Sequence, residues 1–326
     1  MEQQRTSTIF LVDDKLCTGC GTCVKSCPMK ILILQDNICN ITDPSRCLEC
    51  RTCMRDCTEN AINIREGDTE SSKTGRLVGV PDKTAGPKIE FTPILDTLWD
   101  MIKDLNPQQE FKSNGIDVRA LNDFKLEGKK SYTRLYRADK LEKVGISSVN
   151  FLGSMRTDVL VITPAPEYDI PYYIMDWCES EDHIFYICDL MPGDDPGRDI
   201  KYLQNFLHDE LEDLYHEYKP VPGLTGSIFH WVRAIHSPYL LTGTVEKKPK
   251  ENVDMLFSCA VDYLKAWLNL YNNAKPQDIN SPRMKLIQER RKAIRTLYTE
   301  NDPGAGALDK FLGQELANVQ LTIIEP

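Results

Sequence analysis

YYIMDWC, running from Tyr172 to Cys178, is the stretch on which the fold turns. Six of its seven residues are apolar or aromatic, and the seventh, Asp176, is an acid. Pro171 precedes it and the polar run Glu179 to Asp182 follows, so it reads as a strand. Alternation puts Tyr172, Ile174, Asp176 and Cys178 on one side and Tyr173, Met175 and Trp177 on the other. Both sets are apolar apart from Asp176, which is the pattern of a sheet covered on both faces. A carboxylate buried there is costly unless something neutralises it or its chemistry is used.

Working outward, Ser148–Leu152, Val159–Thr163 and His183–Leu190 read as further strands. Their connections are short, which favours antiparallel neighbours. Helices to cover such a sheet are at hand. "TPILDTLWDMIKDLN" carries Ile94, Leu95, Leu98, Met101, Ile102 and Leu105 at helical spacing, with Thr92 as cap and Pro93 in the first turn. Asp199–Tyr218 and Asn252–Tyr271 each present one apolar stripe, and a third helix spans about Pro282 to Tyr298. The expected fold is α+β: an α/β/α sandwich around a central antiparallel sheet. No GxGxxG, GxxxxGK[ST], HExxH or GxSxG motif occurs, so no flavin or nicotinamide is predicted.

The chain has 326 residues, enough for two domains. No apolar run approaches the length of a membrane span, and the opening "MEQQRTSTIFLVDD" has too short an apolar patch for a signal peptide, so a cytoplasmic protein with no membrane partner is expected. A net charge of −10 argues against nucleic acid. The charge is uneven. Asp176 to Glu217 holds thirteen acids against Arg198 and Lys201, while Arg283 to Arg295 holds six bases against one Glu. Solvated helix faces explain both runs, and docking surfaces are the alternative.

Eight of the twelve cysteines fall in the first 57 residues. Their pattern is Cys17-x2-Cys20-x2-Cys23-x3-Cys27-Pro28, then Cys47-x2-Cys50-x2-Cys53-x3-Cys57. This is the bacterial [4Fe–4S] run given twice. Three closely spaced thiolates wrap three corners of a cubane, and the fourth, where the chain leads away, reaches the other cluster. Cys17, Cys20, Cys23 and Cys57 are therefore assigned to one cluster, and Cys47, Cys50, Cys53 and Cys27 to a second. Zinc would use two CxxC pairs for one ion. Thr58 stands where a proline often follows the last cysteine. "MKILIL", "QDN" and "ICNIT" form a hairpin turning at Asp36-Asn37, with Cys39 as a structural residue on it, and "ENAINI" is the matching strand. The segment resembles bacterial two-cluster ferredoxins. Domains are expected at 1–66 and 91–326. The Gly-, Ser- and charge-rich 67–90 between them is a linker, which spans about 25 Å if flexible.

Three further stretches, Pro164–Leu190, "HSPYLLTG" (His236–Gly243) and Tyr298–Ile323, together resemble ferredoxin-dependent bilin reductases, whose wider fold group includes red chlorophyll catabolite reductase. The resemblance covers about residues 91–326. It implies a linear tetrapyrrole such as biliverdin held between sheet and carboxy-terminal helices. It also implies electrons arriving singly by way of ferredoxin, a radical course, and an aspartate matching Asp176 as main proton donor. Burial raises a carboxyl pKa, which suits that role. Some members carry a histidine where this chain has Val159, so Asp158 beside it is a candidate second donor; Asp262 is a weaker one. Arg233 is a candidate for a substrate propionate, with His230 and His236 flanking it as possible pocket residues. Arg290, Arg291 and Arg295 could bind a propionate or the acidic ferredoxin domain. A built-in donor of bacterial type suggests an anaerobic host, with a separate low-potential donor upstream. Two alternatives stay open: a reductase of another conjugated substrate, and a tetrapyrrole carrier that reports redox state without catalysis.

Overall fold

The computed structural model describes residues 8–44, 47, 50–66, 78–79, 89–126, 129–151, 155–227, 229–302 and 304–326. The chain divides into two compact units, Met1–Pro87 with Pro303–Phe311 and Lys88–Asp302 with Leu312–Pro326.

In the first unit the elements are β1 (Thr8–Val12), α1 (Thr22–Ser26), β2 (Leu32–Gln35), β3 (Ile38–Ile41), α2 (Thr52–Arg55), β4 (Ile62–Glu66) and β5 (Val78–Gly79). The β2–β3 hairpin turns at Asp36 and Asn37, both left-handed with φ of 51° and 63°. Two successive left-handed residues give the turn twist that a two-residue hairpin requires, and Asp and Asn tolerate that conformation best after glycine. β4 and β5 flank β1 in a second small sheet, and Phe10, Val12, Ile62 and Ile64 are buried in this unit. Val78–Gly79 falls within the expected linker 67–90, and these two residues pair with Ile9 and Phe10 of β1, which offers them a free edge. The rest of 67–88 lies outside the described residues.

The second unit opens with α3 (Ile94–Ile102) and the short strands β6 (Gln108–Glu110), β7 (Lys112–Ser113), β8 (Ile116–Asp117) and β9 (Phe124–Leu126). The long strands β10 (Lys129–Ala138), β11 (Leu141–Phe151), β12 (Met155–Pro164), β13 (Tyr172–Ser180) and β14 (His183–Met191) follow. Then come α4 (Ile200–Tyr202), a π-helical turn (Leu203–His208), α5 (Asp209–Tyr218), α6 (His230–Ile235), β15 (Leu241–Glu246), α7 (Lys250–Asn273), α8 (Pro282–Asn301) and, after α9 (Gly304–Leu312), which belongs to the first unit up to Phe311, α10 (Gln314–Ile324). The sheet runs β15-β14-β13-β12-β11-β10-β6 with every pair antiparallel, as the short connections demand. β10 and β15 are strands that hydrophobic pattern alone did not bring out.

Each face of this sheet is covered. Tyr173, Met175, Trp177, Tyr186 and Cys188 bury one face against Leu98 of α3, Leu211 of α5 and Leu256, Leu264 and Trp267 of α7. Each large apolar side chain so buried contributes about 1.5–3 kcal/mol. The polar tips on this face find partners: Tyr173 and Tyr186 donate to the carbonyls of Ala260 and Leu256, and Trp177 donates to Glu179. Thr92 does not cap α3. Pro93 occupies that position, while the Thr92 N–H and hydroxyl both donate to Glu179. The opposite face packs Val159, Val161, Tyr172, Ile174 and Met191 against Ile235 and Ile294. Here α10 comes down onto the strands at Gly145: a Cβ on that residue would lie 1.9 Å from the Ile323 carbonyl oxygen.

Candidate functional site

Two sets of side chains stand out, one in each unit. In the first, Cys17, Cys20, Cys23 and Cys57 line one cavity, while Cys27, Cys47, Cys50 and Cys53 line another. The fourth cysteine of each run thus faces the three of the other. This follows from local backbone. Gly21 and Arg51, at equivalent points in the repeat, are both left-handed (φ 75° and 59°) and turn the chain into α1 and α2. The backbone N–H of Cys39 donates to Cys17 Sγ at 3.4 Å and that of Ala61 to Cys57 Sγ at 3.3 Å. The Thr52 hydroxyl donates to Cys50 Sγ at 3.4 Å. Donors aimed at sulfur, an apolar lining and four thiols per cavity fit iron–sulfur ligation. Cys39 is buried and lines neither cavity.

In the second unit Asp176 lies mid-way along β13, opposite Val159 of β12 and Ile187 of β14. It is half-buried, and among the described residues its carboxyl group accepts a hydrogen bond from the Cys178 thiol at 3.3 Å. Among the described residues it meets no cation. Burial pushes its carboxyl up to about 7, with the charges of Asp302 and Asp158 adding to the effect. Asp302 directly follows α8, and sequence spacing did not single it out; its only signal was an acid between a long helix and Pro303. Glu325, just past α10, accepts from the Thr299 hydroxyl and is raised to about 8 by burial and then by Asp302. Lys143 donates to the Thr322 carbonyl at 2.7 Å and is lowered to about 8, chiefly by burial. Asp176, Glu325 and Lys143 therefore sit near the boundary between charge states at neutral pH.

The other expected site residues are dispersed. Asp158 pairs in register with Trp177, so its side chain lies on the face opposite Asp176. It is fully buried there, paired with Arg156 at 2.7 Å and accepting from the Ser148 hydroxyl at 2.6 Å. Burial still raises it to about 6. The expectation that Asp158 joins Asp176 is corrected by strand parity: adjacent residues of one strand point to opposite faces. His230 and Arg233 are exposed on α6, with the Arg233 guanidinium donating to His230 Nδ1 at 2.6 Å and to the Ser227 carbonyl, and neither reaches Asp176. His236 alone of that trio is buried. Its Nδ1 lies 2.9 Å from Asp189 Oδ2 and its Nε2 2.9 Å from the Tyr298 hydroxyl. Asp262 accepts from Tyr218 and Lys265 on the other helical layer.

Of the four arginines of α8, the three expected to meet a propionate or the ferredoxin domain are engaged by this unit itself. Arg291 is buried and donates to the carbonyls of Pro164, Ala165 and Tyr168. Arg290 donates to those of Pro192 and Ile235, and Arg295 forms a two-pronged pair with Glu142. Positive charge here ties the loop after β12 to α8.

Two family profiles match this chain. One, described as ferredoxin-dependent bilin reductase, matches residues 120–323, and the other, described as 4Fe-4S dicluster domain, matches residues 9–58. A curated phycoerythrobilin:ferredoxin oxidoreductase from Gloeobacter violaceus is 27% identical over 190 residues, which is 55% of this chain and 71% of that protein. The crystal structure of phytochromobilin synthase from tomato in complex with biliverdin superposes with a TM-score of 0.61 at 18% identity, covering 70% of this chain and 79% of that one.

Proposed function

The chain belongs to the ferredoxin-dependent bilin reductase family, and from that premise we propose that it reduces a linear tetrapyrrole of the biliverdin class, with Asp176 as proton donor and with its own cysteine-rich unit as the built-in ferredoxin. The observation that carries this is Asp176 itself, a carboxyl on a closely packed sheet face that meets no cation among the described residues and that burial pushes up to about 7. At neutral pH much of it holds its proton. It can hydrogen-bond a pyrrole or lactam oxygen, then release the proton as negative charge arrives on the substrate. Such general-acid transfer is typically worth 10²–10⁴-fold. The charges of Asp302 and Asp158 oppose early loss of that proton.

In the proposed domain scheme, 1–66 carries the clusters, 67–90 joins, and 91–326 binds the tetrapyrrole. Cys17, Cys20, Cys23 and Cys57 would hold one [4Fe–4S] cluster and Cys27, Cys47, Cys50 and Cys53 a second. Each cluster, when bound, supplies one electron at a time, so a pair matches the two electrons that one double bond takes up. Delivery in single steps makes the course a radical one. It suits an anaerobic cytoplasm and a separate low-potential donor upstream.

The test is anaerobic mixing of the chemically reduced holoprotein with biliverdin. The visible band should bleach or shift and a reduced product should be isolated. Binding that shifts the band without any reduced product would point to a carrier, and absence of binding to another substrate. Iron analysis with electron paramagnetic resonance tests the cysteine sets: C57S and C17S should lose the same signal, and C27S the other. Loss of one signal by C17S together with C27S would sink the crossed assignment.

A further inference from the structure

A second chain of groups ends at the same sheet face and takes no part in the scheme above. Asp189 of β14 is two register steps from Asp176, opposite Ile174, and points to the Asp176 side. It is fully buried, and accepts from the Ser237 N–H at 2.9 Å and from the Ser237 hydroxyl. His236, also buried, places Nδ1 against Asp189 and Nε2 against the Tyr298 hydroxyl, each at 2.9 Å. Tyr298 lies on α8, edge-on to Trp231 with ring centres 5.1 Å apart.

The chemistry of the donors fixes the direction of these bonds. Both Asp189 oxygens already accept from Ser237, and the tautomer that completes this arrangement has His236 Nδ1 carrying hydrogen and donating to Asp189. In neutral His236 the Nε2 lone pair then accepts from Tyr298. In protonated His236, Nε2 donates to the Tyr298 oxygen instead, and the tyrosine O–H is freed for a different acceptor. One added proton on the imidazole reverses the bond to Tyr298.

We propose that Tyr298 delivers the second proton of the reduction, that His236 refills it, and that Asp189 and Ser237 are positioning residues for the imidazole. This rests on the bilin reading. The balance is two electrons and two protons per double bond. The Asp176 O–H breaks as one substrate bond to hydrogen forms, leaving a carboxylate. The Tyr298 O–H breaks as the second forms, and its oxygen takes the Nε2 hydrogen of His236. Tyr298 ends neutral, and His236 passes from imidazolium to imidazole. Both refill from solvent after product leaves, and the electrons come from the low-potential donor.

The surroundings explain why refilling must accompany the transfer. Tyr298 feels burial first, then the charges of Asp302, Asp189, Asp176 and Glu325, which hold its hydroxyl well above the usual phenol range. Arg290 of α8 reaches the carbonyl of Ile235 beside His236 but makes no bond to the imidazole. A bare tyrosinate among four acids is strongly disfavoured, so the hydroxyl gives up hydrogen only when another replaces it. The His236 imidazole is the group placed to do so.

The experiment is a single anaerobic turnover of the reduced holoprotein with biliverdin, comparing the parent with Y298F, H236Q and D189N. Biliverdin affinity should stay within about threefold, because the change falls on the chemical step rather than on binding. Product formation in Y298F and H236Q should slow by about tenfold or more, with a one-electron-reduced substrate radical persisting in electron paramagnetic resonance. A purely structural role would not lengthen the life of that radical. If D189N or H236Q does not fold, Y298F removes a single oxygen and gives the same answer. Parent rates and radical lifetimes in both Y298F and H236Q overturn this inference alone. A parent that reduces no biliverdin overturns the bilin reading and this inference with it.

Discussion

Asp158 and Asp176 stand on neighbouring antiparallel strands, one register step apart, yet on opposite faces of the sheet. On the Trp177 face, acids are matched. Asp158 has Arg156 and Ser148, and Glu179 has Lys247 at 2.6 Å, the Trp177 indole and Thr92. On the other face, among the described residues, Asp176 has a thiol and no cation, and the nearby Asp189 has a histidine and a serine. Burial raises both Asp158 and Asp176, so desolvation does not separate them. The partner does. An acid with a guanidinium beside it fastens β12 to itself and to β11, whereas an acid without one stays close to giving up or taking a proton at neutral pH.

The comparison breaks most visibly in activity. D176N should retain biliverdin binding and lose on the order of 10²–10⁴-fold in turnover, while D158N should turn over within about threefold of the parent. Equal losses in both, measured as anaerobic single-turnover rates, would erase the distinction between the faces. In the parent, kcat/KM should fall as pH rises through about 7, where Asp176 deprotonates, and D176N should lack that limb.

Stability sharpens the contrast. The folded-state pKa of Asp176 lies above its unfolded value of 3.8, so ionising it costs the folded state. That cost is absent below pH 4, grows between about pH 4 and 7, and is constant above. D176N should therefore be more stable than the parent at pH 8 by roughly 2–4 kcal/mol, and no more stable at pH 3, in denaturant titrations.

R156A should do the reverse on the other face. It leaves Asp158 buried without its cation and destabilises the fold by about 1–3 kcal/mol at pH 8. The loss should shrink at pH values low enough to protonate Asp158 in both states. A penalty independent of pH would mean that Arg156 matters for packing alone. G145A has no charge to alter, so its effect should be the same at pH 3 and pH 8. Pressing a methyl group against the Ile323 carbonyl should cost about 1–3 kcal/mol and weaken biliverdin binding, since α10 roofs the Asp176 face. A melting temperature at the parent value would show that α10 shifts freely.

Much of this was legible in the chain. The hairpin at Asp36-Asn37 follows from residues that accept left-handed backbone, and the long helices of the second unit from their apolar stripes. Even the fate of Asp158 carried a signal. Arg156, two residues earlier, points to the same side of the strand, whereas Asp176 has Ile174 and Cys178 at that spacing. The short strand β5 stayed hidden because two residues carry no period, and β10 because "SYTRLYRA" alternates with charged and polar residues that read as a loop.

Spacing along the chain by itself determined the two runs of four cysteines and the presence of an acid in a doubly covered strand, because such patterns act over a few residues. Only the tertiary structure decided which thiols share a cavity, which of two neighbouring acids faces a cation, and that Asp189, His236 and Tyr298 meet across 47 and 62 residues of chain. Those pairings depend on register between strands and on which helix lies over which face. Both are set by long-range packing, and no local period encodes them.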